Sequence, residues 1–309
     1  MRPTILLTGK TGQLGSELNR LLPRLGEVIA PGRNELDLRA PEKISQFVRD
    51  AKPQLVVNAA AYTAVDAAET DEANALAVNA EAPRLLALAA KEIGAMFVHF
   101  STDYVFNGSK KAPYVETDPL NPLNAYGRTK LAGEEAIRNS GASHLIFRTS
   151  WVYATRGRNF LLTILRLATE REELKIVGDQ IGAPTCAADI ASATARILAN
   201  IYGRNGDARA FSEVSGTYHM TASGETTWYD FTKAILEEAA HASQDLSWFA
   251  AATQGRPLLA RRITPITASE YGSRTPRPAY SVLSNSRLTQ TFGIRLPDWR
   301  TQLRQCFAI

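Results

Sequence analysis

A glycine turn set between a strand and a helix constrains this chain more than any other feature. Thr4–Thr8 is a short apolar run of the buried-strand type, and 16–22 reads as an amphipathic helix. Between them stands Gly9-Lys-Thr-Gly-Gln-Leu-Gly15. Backbone N–H groups at the start of such a helix point outward, and the helix dipole favours negative charge there. Gly9 permits the sharp turn, Gly12 lets the backbone approach a pyrophosphate, and Gly15 lets helix and strand pack closely. Thr11, Gln13 and Leu14 complete the turn. The spacing is G-x-x-G-x-x-G, which departs from the G-x-G-x-x-G dinucleotide fingerprint.

Strand and helix patterns keep alternating over the first 150 residues. Strand patterns fall at 27–30, 54–58, 95–100 and 144–148, and helical ones at 41–51, 72–93 and from about 124. This alternation predicts an α/β fold with a doubly wound parallel sheet of Rossmann type, whose ligands bind at the carboxyl ends of the strands. Gly9, Ala59 to Thr63, Ser101 to Asp103 and Thr149 to Tyr153 all lie at such ends. The second half is less regular. Helices are expected at 159–172, 187–202, 227–240 and 297–307, with strands at 174–177 and 217–220 and a loop-rich stretch at 243–284. Residues 1–150 are therefore read as a dinucleotide-binding domain to which later segments return. Residues 151–309 are read mainly as a smaller α/β substrate-binding domain woven from C-terminal segments.

With 45% apolar and 21% charged residues, the 309-residue chain has ample material for a core and little for long disorder. A net charge of +4 from scattered Lys and Arg suits an anionic small molecule and argues against nucleic acid. No apolar run is long enough to span a membrane. The two cysteines, Cys186 and Cys306, have no metal-type spacing and read as free thiols of a cytoplasmic protein. The four histidines are scattered and form no metal set.

Tyr126-Gly-Arg-Thr-Lys130 is the candidate catalytic motif. Positions i and i+4 share a helix face, so an ammonium at Lys130 is expected to lower the pKa of the Tyr126 phenol and equip it for proton transfer. On the cofactor side, the second strand ends Ala30-Pro-Gly-Arg33, with no carboxylate expected at its tip. Arg33 is then a candidate for a 2′-phosphate, against the reading of an ordinary exposed arginine, which favours NADPH while leaving NADH possible. Asp37 and Leu38 are expected to border the adenine, although Asp37 also suits a turn.

These motifs, with Asn58-Ala-Ala-Ala61, Ser101-Thr-Asp-Tyr-Val-Phe106, the stretch 122–134 and Arg148-Thr-Ser-Trp-Val-Tyr153, resemble the extended short-chain dehydrogenase/reductase family. The resemblance runs over nearly the whole chain, and within the family it is to the ketoreductases of nucleotide-linked deoxysugars. It implies an NADPH-dependent reduction at C4 of dTDP-4-dehydro-L-rhamnose, the last step towards dTDP-L-rhamnose for cell-surface polysaccharide. By the same resemblance Tyr126 supplies the proton and Lys130 holds the nicotinamide ribose. Thr102 bonds the reacting oxygen, Asp103 and Trp151 contact the sugar nucleotide, and Ala61, Tyr62 and Thr63 line the cofactor.

For the dTDP half, an aromatic to stack on thymine and an arginine for the diphosphate are sought by chemistry. Trp228, Tyr229 and the stretch Arg274-Thr-Pro-Arg-Pro278 qualify, with Arg277 preferred and Asn159 a further candidate. Some family members bind Mg²⁺ between protomers through two glutamates. Glu17 matches the first, read otherwise as an acid favourable to the helix dipole, but alanine replaces the second within Cys186-Ala-Ala-Asp189. No Mg²⁺ is expected, and the chain is expected as monomer or homodimer. Two other readings stay open. One is an epimerase or dehydratase of the same family, with Asp103 as a second acid or base. The other is a non-catalytic NADP-binding regulatory subunit, of the kind associated with methionine adenosyltransferase.

Overall fold

The computed structural model describes residues 2–203, 208–243, 245–273 and 275–308. Its centre is a six-stranded, all-parallel sheet. The strands are β1 (Thr4–Thr8), β2 (Glu27–Ile29), β3 (Leu55–Asn58), β4 (Met96–Thr102), β5 (His144–Thr149) and β6 (Gly216–His219). Their order is β6-β5-β4-β3-β1-β2. The chain steps from β1 outward to β2, then crosses back to β3 on the other side of β1. That reversal opens the crevice where ligands of such sheets bind. β3 and β4 are buried along their whole length, which is why they read as continuous apolar runs rather than alternating ones.

Each face of the sheet is covered by helices. On one side Ile44 and Val48 of the helix Pro41–Ala51 pack with Leu86 and Ala90 of Ala82–Glu92. On the other, Leu18 of Gln13–Leu21 packs with Ile190, Ile197 and Leu198 of Ala187–Gly203 and with Leu288 of Ser286–Phe292. The segments that return to the first sheet are thus Ala187–Gly203, β6 and Ser286–Phe292. A separate apolar cluster joins Leu161, Ile164 and Leu165 to Phe231, Ile235, Phe249 and Leu303. Beside it Glu173–Val177 pairs in parallel with Arg262–Ile266. That last strand and the helix Ser247–Thr253 lie in the stretch expected to be loops. Pro265 hid the strand, but it sits in a two-stranded edge where a missing N–H is tolerated.

The helix expected over 72–93 is interrupted by a π turn at Ala77–Glu81. Pro83 has no N–H to give the carbonyl four residues back, so the regular ladder fails there. The turn buries Asn79, whose side chain accepts from the Tyr62 N–H at 2.8 Å and donates to Tyr62 O at 3.0 Å. It thereby holds the loop after β3. Asn124 starts the helix Ala125–Asn139, accepting from the Gly127 N–H at 2.8 Å. Cys186 and Cys306 are free and buried, 120 residues apart in sequence, yet their sulfurs lie 3.7 Å apart. Among the described residues no helix is long and apolar enough to cross a membrane.

Candidate functional site

The glycine turn has the geometry an anion needs. Gly9 adopts φ +79°, and a Cβ on Gly15 would stand 2.0 Å from Gly9 O. Gly12 is the extended N-cap of Gln13–Leu21, and no side chain caps that end. The Gln13 Oε1 atom is buried without a partner. A bare helix N-terminus over a turn that excludes a Cβ at Gly9 and Gly15 fits a dinucleotide pyrophosphate. Gly15→Ala is therefore expected to push the turn off the strand. It should cost about 1–3 kcal/mol in denaturant unfolding, with NADPH affinity lost in a fluorescence titration. Unchanged affinity would discard the close-packing role.

At the tip of β2 the structure corrects an expectation. A carboxylate does stand there: Glu35 Oε2 accepts from the Gly32 N–H at 2.6 Å. Lys10, from the glycine turn, donates to Ala30 O at 2.6 Å, and its Nζ is 4.0 Å from the same Glu35 oxygen. Arg33 is 68% exposed, with Nε 3.8 Å from Asp37 Oδ2. Asp37 is gripped by Arg39 at 2.6 Å, a hydrogen bond that holds its carboxyl well below the usual range. Leu38 packs, half-buried, against the core.

Thr102 ends β4 and Tyr126 opens the helix Ala125–Asn139, which brings the two hydroxyls together. Tyr126 is half-buried, its ring edge-on to Tyr104 with centroids 5.5 Å apart. Burial pushes the phenol up to about 12, with contact to the Thr102 hydroxyl opposing and Asp103 adding to the rise. The expected lowering by Lys130 is absent because the buried ammonium end turns elsewhere. Lys130 Nζ donates to Phe100 O at 2.6 Å and lies 3.1 Å from His99 Nε2. Burial pushes Lys130 down to about 8, opposed by the charge of Glu134.

A buried chain of hydrogen bonds reaches Lys130 from β1. Thr8 Oγ1 donates to Asn58 Oδ1 at 2.6 Å, and the same oxygen accepts from the Ala60 N–H. The Asn58 amide nitrogen therefore faces His99 Nδ1, at 3.1 Å, as a donor. His99 is fully buried, and desolvation together with the nearby Lys130 charge holds its ring well below the ordinary imidazole range, with Nε2 3.1 Å from Lys130 Nζ. Nothing in the motif spacing indicated this; the one signal was a polar residue inside an apolar strand.

Asp103 is buried beneath Thr102, accepting from Thr102 Oγ1 at 3.0 Å and Ser150 Oγ at 2.8 Å. Burial pushes its carboxyl up to about 6 from an ordinary 3.8. A raised acid favours the folded state while protonated. Its contribution is full below about pH 4 and lost as pH rises through about 6, on the order of 3 kcal/mol at about 1.4 kcal/mol per pKa unit. Asp103→Asn should flatten the stability–pH curve across that window in urea titrations. An unchanged slope would exclude Asp103 as its source.

On the sugar-nucleotide side, Trp151 has φ +48°, a strained conformation of the kind found at functional sites. Its ring packs on Gly182 and stacks on Trp228, centroids 3.4 Å apart and planes within 4°. Phe160 lies against Trp228 at 4.3 Å. Trp228 thus gives its face to Trp151 rather than presenting it to a base, and Tyr229 lies under Lys233. The Asn159 side chain is engaged within the fold. Its oxygen caps the helix Phe160–Ala168 through Leu162 N–H, and its nitrogen donates to Ala154 O and Arg156 O. Arg277 pairs with both oxygens of Asp66 at 3.1 and 3.0 Å, and its Nε is buried without a partner. Arg274 lies outside the described residues. Glu17 pairs with Arg20 at 2.9 Å in the second turn of its helix, away from the N-terminus.

The RmlD substrate binding domain family model matches residues 1–309. The dTDP-4-dehydrorhamnose reductase of Burkholderia thailandensis is 53% identical, over 98% of this chain and 97% of that protein. The enzyme of the same name from Escherichia coli K12 is 43% identical, over 97% and 96%. The crystal structure of dTDP-4-dehydrorhamnose reductase from Bacillus anthracis in complex with NADP superposes with a TM-score of 0.87 at 31% identity, covering 100% and 99% of the two chains. With the turn, the Tyr126 and Lys130 helix and the sheet all in place, these likenesses show that the chain belongs to the RmlD substrate binding domain family.

Proposed function

We propose that this chain is an NADPH-dependent reductase that converts dTDP-4-dehydro-L-rhamnose to dTDP-L-rhamnose in the cytoplasm. The observation that carries the reading is the meeting of the Tyr126 and Thr102 hydroxyls at the carboxyl end of β4, with Lys130 one turn further along the same helix. The turn Gly9 to Gly15, with Thr11 and the N–H groups of Gln13 and Leu14, would hold the pyrophosphate. Arg33, Asp37 and Leu38 would lie towards the adenosine, and Ala61, Tyr62, Thr63 and Lys130 along the nicotinamide half. When bound, the reduced nicotinamide supplies hydride to the carbonyl carbon.

Tyr126 gives its phenolic proton to the ketone oxygen as negative charge develops there. A phenol held near 12 keeps that proton at neutral pH until a much stronger base forms beside it. The Thr102 hydroxyl polarises the same oxygen. Lys130, pushed down to about 8 by burial, is held by Phe100 O and His99 one helical turn beyond the phenol. Asp103 and Trp151 would touch the sugar. Arg277 would take the diphosphate once released from Asp66, and Trp228 the nucleotide side. On this reading 1–150 forms the dinucleotide domain, rejoined by 187–203, 216–219 and 286–292, and the rest of 151–309 mainly the sugar-nucleotide domain.

The test is an NADPH-oxidation assay with dTDP-4-keto-6-deoxy-L-mannose beside its UDP and GDP analogues. One NADPH consumed per ketosugar, fastest with the dTDP form, is the expected result. Conversion without NADPH loss would overturn the reductase in favour of an epimerase.

A further inference from the structure

Two thiols meet in the apolar cluster around Phe231 and Leu303 and take no part in the chemistry above. Cys186 ends the short strand Thr185–Cys186 and stands immediately before the helix Ala187–Gly203. Cys306 lies in the last turn of the helix Trp299–Phe307. Their sulfurs are 3.7 Å apart. Gln302 keeps the two segments in register: its Oε1 accepts from the Cys186 N–H at 2.8 Å, one helical turn before Cys306. The Cys306 thiol donates to the Cys186 sulfur, and the Ala188 and Asp189 N–H groups at the helix N-terminus add to it. Together they lower the Cys186 pKa against burial and the Asp189 charge, which favours a thiolate at Cys186. The Tyr153 hydroxyl is buried beside both sulfurs and lacks a hydrogen-bond partner. Among the described residues no group of three or more His, Cys, Asp or Glu is placed to hold a metal, so the pair is not part of such a site.

We propose that Cys186 and Cys306 are a peroxide-sensitive dithiol that closes reversibly to a disulfide, tethering the helix Trp299–Phe307 to the strand pair that follows Trp151. That pair joins Val152–Tyr153 to Thr185–Cys186. In the first step the Cys186 sulfur attacks one oxygen of hydrogen peroxide. An S–O bond forms, the O–O bond breaks, and the departing hydroxide leaves as water with the proton that Cys186 gave up. The Tyr153 hydroxyl is placed to donate to the new sulfenic oxygen. In the second step the Cys306 sulfur attacks the Cys186 sulfur. The S–S bond forms, the S–O bond breaks, and the hydroxyl leaves with the Cys306 proton as a second water. Peroxide gains two electrons, one from each sulfur, and a dithiol reductant returns them. The sulfurs have to close from 3.7 Å to about 2.0 Å. Cys306 stands in the last turn of its helix, where local opening costs least, and that opening admits the small oxidant.

The test needs no substrate. The full chain is reduced, freed of reductant and treated with hydrogen peroxide; its thiols are then counted in denaturant and its peptides mapped by mass. These are the only two cysteines in the sequence, so the bookkeeping is unambiguous. Both thiols should disappear together, the peptides holding Cys186 and Cys306 should be found linked within one chain, and dithiothreitol should restore both. The linked form should melt about 5 °C higher than the reduced one, because the bond closes a long loop. In Cys306→Ala, and in Cys306→Ser as a second variant, the resolving thiol is gone, so a 1,3-diketone probe should trap a sulfenic acid at Cys186 that it does not trap in the parent. Thiols that both survive peroxide, a disulfide formed only between chains, or a sulfinic acid at Cys186 beside a free Cys306 would each overturn the proposal. A linked form that melts no higher than the reduced one would overturn the tether.

Discussion

Tyr126→Phe is expected to lower turnover roughly a thousandfold, the scale of a lost general acid, while the affinity for NADPH stays within about twofold. The substitution removes one oxygen from a half-buried ring that packs edge-on against Tyr104, so the helix and the turn before it keep their shape. What disappears is the phenolic proton that stands against the Thr102 hydroxyl. The paired measurement is a steady-state rate with dTDP-ketosugar and a fluorescence titration of NADPH on the same preparation. A rate near that of the unmodified chain would remove Tyr126 from the chemistry. A matching loss of NADPH binding would mean that the hydroxyl mainly holds the cofactor.

The second large effect lies one helical turn beyond Lys130. Glu134 and Arg148 are 0% and 1% exposed and form a two-pronged pair, 2.9 Å from Nε to Oε1 and 2.7 Å from Nη2 to Oε2. Arg138 adds a third contact to Glu134 at 3.0 Å, and the Arg148 guanidinium lies over the Phe106 ring. Arg148 Nη1 already lacks a partner. Glu134→Ala strands a buried cation, which costs about 3–5 kcal/mol. For a chain of this size that is about 10 °C in melting temperature. Replacing both partners, Glu134→Leu with Arg148→Met, should recover much of the loss, because the unpaired charge is then gone. A single variant within about 1 kcal/mol of the parent in chemical denaturation would refute the cost. The Glu134 charge also favours the Lys130 ammonium, so the variant should move any Lys130-dependent limb of the rate profile to lower pH.

The motifs readable along the chain are those whose geometry closes within a few residues. Gly9 and Gly15 declare a turn because only glycine fits its φ and its spacing from the helix. Asn124, Thr227 and Asp298 declare helix starts because each accepts from an N–H two or three residues on. Continuous apolar runs announce parallel strands because both faces of β3 and β4 are covered. The pairing of Tyr126 with Lys130 was legible as a spacing, though not as an electrostatic couple.

Positions that depend on segments far apart stayed hidden. Lys130 turns to His99, 31 residues away, because the end of β4 offers a carbonyl and an imidazole where the expectation placed a phenol. Trp151 and Trp228, each expected to meet a ligand, stack on one another across 77 residues of chain, a contact no local pattern announces. β6 enters the sheet from residue 216 because β5 has an open edge there, something no local pattern announces. Local sequence therefore determined the turn, the caps, the strand and helix periods and the residues available for chemistry, since these follow from steric and hydrogen-bonding rules acting over one or two turns of chain. Only the tertiary structure decided which charges face one another, because burial and partner choice are set by segments brought together across the sheet.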